Sequence, residues 1–177
     1  VELARSGNEG AQRNAVAVLG FLAFKNDANV ALIAEAGGID TVMDLSIRRF
    51  NGGRMPHRKD PLSTEALAAL NCLAFNRNDV VLSAIGERGT AWLFNALLRG
   101  VNPARLCAAQ VISSLSFDAE TAVQLAEQGA DAFSDVMRTD AQPWAGHTPA
   151  VKKIVAAAQQ RVKAAVKAEK KRVAKAK

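Results

Sequence analysis

Tyrosine is absent from this chain and aromatic residues make up only 5% of it, a composition that favours closely packed helices over a β-sandwich. No run of apolar residues is long enough to span a bilayer, so no transmembrane segment is expected. No charged-then-apolar leader follows Val1, so no signal peptide is expected either. The sequence has no GxGxxG, P-loop, HExxH or nucleophile-elbow motif. His57 and His147 stand in proline-containing loops with no second His, Cys or carboxylate at ligand spacing. Neither catalysis nor a metal or other cofactor is therefore expected. The two cysteines, Cys72 and Cys107, fall inside helical stretches and read as buried free thiols, which fits an intracellular, reducing compartment such as the cytoplasm or nucleus. Carboxylates all but vanish near the C-terminus. Residues 151–177 carry ten cations against the single Glu169, a net charge of +9, whereas residues 1–150 are at −3. The overall +6 is thus a property of the tail, and the body has no electrostatic reason to bind nucleic acid.

What the chain does have is alanine, leucine and an internal repeat. Its 177 residues are 49% apolar, enough to fill one continuous core. Leu19-Gly20-Phe21-Leu22-Ala23-Phe24, Leu70-Asn71-Cys72-Leu73-Ala74-Phe75 and Ile112-Ser113-Ser114-Leu115-Ser116-Phe117 superimpose at offsets of 51 and 42 residues. Each is followed by a polar break and a helical run ending in a small signature: Glu35-Ala36-Gly37-Gly38-Ile39, Glu87-Arg88-Gly89-Thr90-Ala91 and Glu127-Gln128-Gly129-Ala130-Asp131. Helical units repeating at this spacing predict a stacked α-solenoid, in which each unit buries its apolar face on its neighbours.

In the first full unit Ala15, Val18, Leu19 and Leu22 share one stripe of a helix over 11–24. A short helix capped by Asn29 follows, Gly37-Gly38 makes the turn, and a third helix over 39–50 turns Val42, Met43 and Leu45 inward. In the later units Ser63 or Thr64 caps a long helix, Asp79 opens a short one, Gly89 turns the chain where the third unit has Gly129 in its signature, and Pro103 starts the next long helix. Ile154 stands 42 residues after Ile112 and begins the pattern again, without Gly or Pro as far as Lys177. Leu19, Leu22, Leu70, Leu73, Ile112 and Leu115 are predicted to share one buried core.

This pattern of an alanine-rich long helix, then Asn or Asp, then Glu-x-Gly-Gly-Ile resembles the armadillo repeat family over nearly the whole chain to about Arg138. The resemblance implies an all-α, right-handed solenoid whose long helices line a concave surface that holds protein partners, in a eukaryotic cell, and it implies no enzyme. On that basis residues 1–158 form the repeat domain, with units 1–10 (partial), 11–50, 62–99, 103–138 and 147–158 (partial), and residues 159–177 form a basic helical extension. The partial first unit leaves an uncapped end that exposes apolar surface. The Trp/Asn ladder with which importin-α-like members clamp peptides is missing: the Trp positions read Ala17, Ala68 and Gln110, and the Asn positions read Phe21, Cys72 and Ser114. Asn71 is one residue off the ladder, about 100° round the helix.

In place of the ladder the expected concave floor is small and fairly apolar: Arg13, Ala17, Phe21, Thr64, Ala68, Cys72, Leu106, Gln110 and Ser114. It suits a partner helix, or else Phe21 packs into the neighbouring unit. The insertion 51–61 adds Arg54, Arg58 and Lys59, a basic loop that is either solvated or a contact surface. On the C-terminal helix Val151, Val155, Ala158, Val162, Val166 and Val173 form a stripe, with Lys152, Lys163, Lys167, Lys170, Lys171 and Arg172 largely off it. Val155, Val162 and Val166 are the expected grip on a partner. The expected function is a non-catalytic scaffold or subunit of a multi-subunit complex. The alternative is a nucleic-acid-binding subunit that tracks phosphates, or another acidic surface, with its tail lysines.

Overall fold

The computed structural model describes residues 1–48, 61–75, 79–138 and 148–175, and among them every regular element is a helix. Among these described residues ten helices follow one another: α1 (Glu2–Ser6), α2 (Glu9–Ala23), α3 (Asp27–Glu35), α4 (Gly38–Ile47), α5 (Pro61–Leu73), α6 (Asp79–Glu87), α7 (Ala91–Arg99), α8 (Asn102–Leu115), α9 (Ala119–Arg138) and α10 (Pro149–Lys175). The long helices α2, α5, α8 and α10 lie side by side in that order, while α4 backs α5, α7 backs α8 and α9 backs α10. The structural units are therefore α3–α5, α6–α8 and α9–α10, preceded by the pair α1–α2.

Local chemistry sets the helix boundaries. Asn8 caps α2 by accepting the Ala11 amide at 2.9 Å, and Asn26 caps α3 by accepting the Asn29 amide at 3.0 Å. Asn29 is thus not the cap expected of it. It lies one turn inside α3, where its Nδ2 donates to the Leu22 carbonyl at 2.8 Å and ties α3 back to α2. Gly37 (φ 71°) and Gly89 (φ 76°) adopt the left-handed conformation that their turns require. Helix α5 starts at Pro61, before the expected cap at Ser63 or Thr64, because proline's fixed φ suits a first helical turn and Ser63 is buried inside the helix.

Gly129 does not make a turn. Helix α9 runs straight through it for 20 residues, and a Cβ placed on Gly129 would overlap the ring of Phe94, which stands edge-on to Phe133 at 5.3 Å between centroids. This glycine is kept for close approach of a neighbouring ring rather than for backbone freedom.

Leu19, Leu70, Leu73, Ile112 and Leu115 are buried in one core, as expected, but Leu22 is 50% exposed. The reason is positional. In α5 the face that carries Ala66, Ala69 and Leu73 receives the preceding long helix, with Gly20 of α2 standing over Ala69. The same positions in α2 are Ala15, Val18 and Leu22, and among the described residues no long helix packs on that side of α2. Val18 is accordingly exposed as well. At the other end the buried residues of α10 are Val151, Val155, Ala158 and Val162. Val155, not Ile154, occupies the place of Ile112, because packing of α10 on α8 and α9 sets the register one residue beyond the 42-residue spacing.

Candidate binding surfaces

Arg13 and Ala17 of α2 and Thr64 of α5 line, with Glu65 and Val101, one groove of about 580 Å³. Ala68, Cys72, Gln110 and Ser114 continue along α5 and α8, all half-buried. Gln110 is turned aside: its Oε1 accepts from Asn71 Nδ2 at 2.9 Å, which ties α5 to α8. The Asn71 amide thus serves the seam between units. Phe21 is 80% exposed, so it does not pack into the neighbouring unit and stands on the surface of α2. Cys72 and Cys107 are free and half-buried rather than fully buried. Burial, with a contribution from Glu65, pushes the Cys72 thiol up, and burial, with Cys72 and Glu65 adding to it, pushes Cys107 to about 11. Both are neutral thiols at pH 7 and poor nucleophiles.

The long C-terminal helix forms as expected, an unbroken 27 residues that span about 40 Å. Its valine stripe is not a free grip. Val155 is fully buried and Val162 is 4% exposed, both packed into the chain's own core, so neither is a freely presented grip, and Val162 only lines the base of a groove. The stripe is apolar because α8 and α9 cover it. Val166, further along, is only half-buried. Exposed Lys163, Lys167, Lys170 and Lys171 lie beside it on a second groove, while Arg172 donates to Glu169 at 2.8 Å. Arg54, Arg58, Lys59, His57 and His147 lie outside the described residues.

One residue of this surface is not evident in the sequence. Arg161 donates its Nε to Ser116 Oγ at 2.8 Å and its Nη2 to Ser113 Oγ at 2.7 Å, and its guanidinium lies 4.0 Å from the centroid of the Phe117 ring. The other repeated phenylalanines do the same with a lysine: Phe24 and Phe75 pair at 4.8 Å, and Lys25 Nζ sits 5.3 and 5.8 Å from their centroids. The recurring Phe is thus a half-exposed helix-end residue, each copy held under a cation. Arg161→Ala is expected to lower the stability of α10 by about 1–3 kcal/mol, seen as faster amide exchange over residues 160–175 while α2 and α5 stay protected.

Among the described residues no group of three or more His, Cys, Asp or Glu side chains is placed to hold a metal, and no helix is long and apolar enough to cross a membrane. No family model and no curated protein matches the chain. Solved structures do match in shape. One is an engineered protein, with a TM-score of 0.72 and 18% identity over 91% of this chain and 60% of that one. Another is a designed armadillo repeat protein, with a TM-score of 0.71 and 21% identity over 92% of this chain and 62% of that one. The chain spans about three-fifths of the length of each. Stacked three-helix units, left-handed glycine turns and this likeness over nine-tenths of the chain agree: the fold is an armadillo-type α-solenoid.

Proposed function

We propose that this chain is a non-catalytic scaffold that holds a protein partner on the inner face of its long helices, as a subunit of a larger assembly. The observation that carries this is Phe21, a large aromatic side chain 80% exposed on a rigid helix, one turn beyond the groove at Arg13, Ala17 and Thr64. Exposed aromatics beside a groove are the usual anchors of protein interfaces. The repeat fold is typical of protein-binding scaffolds, which supports the same reading. Two free thiols support an intracellular, reducing compartment.

The test is affinity capture with the chain as bait and identification of the bound protein, followed by Phe21→Ala. Because the side chain is exposed, its loss is expected to change folding stability by less than about 0.5 kcal/mol. As an interface anchor its loss is expected to weaken the partner by about 2 kcal/mol or more, a thirtyfold drop in affinity or greater. Unchanged affinity would remove the inner face from the account.

The charge split supports a second reading, a nucleic-acid subunit. Binding would then be confined to residues 152–177 and would fall steeply with log[salt]. A partner held on apolar surface survives the same salt.

A further inference from the structure

We infer that the groove between α9 and α10 docks an acidic amphipathic helix of a partner protein. This rests on the scaffold reading and gives it a second surface, with a stated chemistry. The groove encloses about 740 Å³. Its floor is apolar and built largely of small residues, Ala126, Ala130 and Ala174 together with Phe133, Val162 and Val166. Its rim carries Lys163, Lys167, Lys170 and Lys171, all exposed. Glu169, the only carboxylate of α10, already accepts from Arg172, and no described carboxylate forms an ion pair with any of the four rim lysines. A floor that attracts apolar side chains, bordered by four unneutralised cations, is complementary to a segment with one apolar face and acidic flanks.

The walls suit a helical segment. Residues 126, 130 and 133 recur along one face of α9, and residues 159, 162, 163, 166, 167, 170, 171 and 174 recur along one face of α10. From 159 to 174 the α10 wall runs for about 22 Å, four helical turns, so it presents ridges at helical spacing to a third helix of about 15 residues. Alanines on the floor let that backbone approach closely. Arg161, bonded to Ser113 and Ser116, fixes the wall to α8, so the groove is preorganised. Nucleic acid is the poorer occupant. The groove has no aromatic ring exposed for base stacking, since Phe133 is buried, and its apolar floor offers nothing to a phosphate backbone.

The experiment uses the full chain and three synthetic peptides of about 15 residues, matched to the groove. One is an amphipathic helix with leucines on one face and glutamates flanking them. A second has lysine for each glutamate, and a third has the acidic composition with two prolines that prevent the helix. Binding is followed by fluorescence anisotropy at about 0.15 M salt. The acidic helix is expected to bind at least about tenfold more tightly than either of the others. Ala130→Trp and Ala174→Trp, each at an exposed position and checked for unchanged helicity, should abolish that binding by filling the groove. The combined changes Lys163→Glu, Lys167→Glu, Lys170→Glu and Lys171→Glu should reverse the preference toward the lysine peptide. Equal binding of all three peptides, or indifference to both tryptophans, would overturn the proposal. So would a single-stranded RNA oligonucleotide binding through the four lysines while the acidic helix does not. The Phe21-dependent capture is untouched by any of these outcomes, so the docking groove can fail while the inner face stands.

Discussion

Leu73→Ala is expected to destabilise the fold by about 2–5 kcal/mol, while Leu22→Ala, the same position one unit earlier, costs less than about 1 kcal/mol. The two leucines are 51 residues apart in matching hexapeptides, so sequence alone gives them one fate. Leu73 is fully buried, and its removal leaves a cavity that the neighbouring helices cannot close. Leu22 lies on the side of α2 away from α5 and is already half in water. Urea unfolding followed by circular dichroism measures both. Equal losses would mean that another helix covers the outer face of α2.

Gly129→Ala is expected to destabilise by about 1–3 kcal/mol, although alanine is the better helix former. The new methyl group would enter space held by the Phe94 ring, which is buried and backed by Phe133, so the ring has nowhere to go. Gly86→Ala is the internal control. Gly86 also lies within a helix, but the nearest atom to its added Cβ is Gln124 Oε1 at 3.5 Å, an ordinary contact. There the propensity gain acts alone, and the change is expected to stabilise by up to about 1 kcal/mol. If both substitutions stabilised, Gly129 would be a relic of a turn, as its place in the repeat first suggests.

These pairs show how far the sequence carries. The three hexapeptides give the order of helices and five of the six core positions, because amphipathic spacing and helix-breaking residues are local signals. Leu22 defeats them because its exposure depends on which helices pack on that side of α2, and no stripe records its neighbours. Gly129 defeats them because glycine is used both for left-handed turns and for close packing, and only the position of Phe94 separates the two uses. On α10 the valine stripe is a true apolar face, but its first four residues are packed against the chain's own α8 and α9, and the stretch from Val166 onward is the less covered part. Arg161 was hidden among ten tail cations, and its one distinguishing signal, the recurring Phe at helix ends, has no meaning until Phe117 is seen beneath it.

As proposed above, this armadillo-type solenoid holds a protein partner on the face of its long helices that carries Arg13, Ala17 and Thr64. Amide hydrogen exchange of the chain alone and in complex with the captured partner tests this most directly. The account predicts added protection over residues 13–21 of α2 and 61–72 of α5, persisting at raised salt and lost with Phe21→Ala. Protection confined to residues 163–175 and erased by salt, with the inner face unchanged, would contradict it.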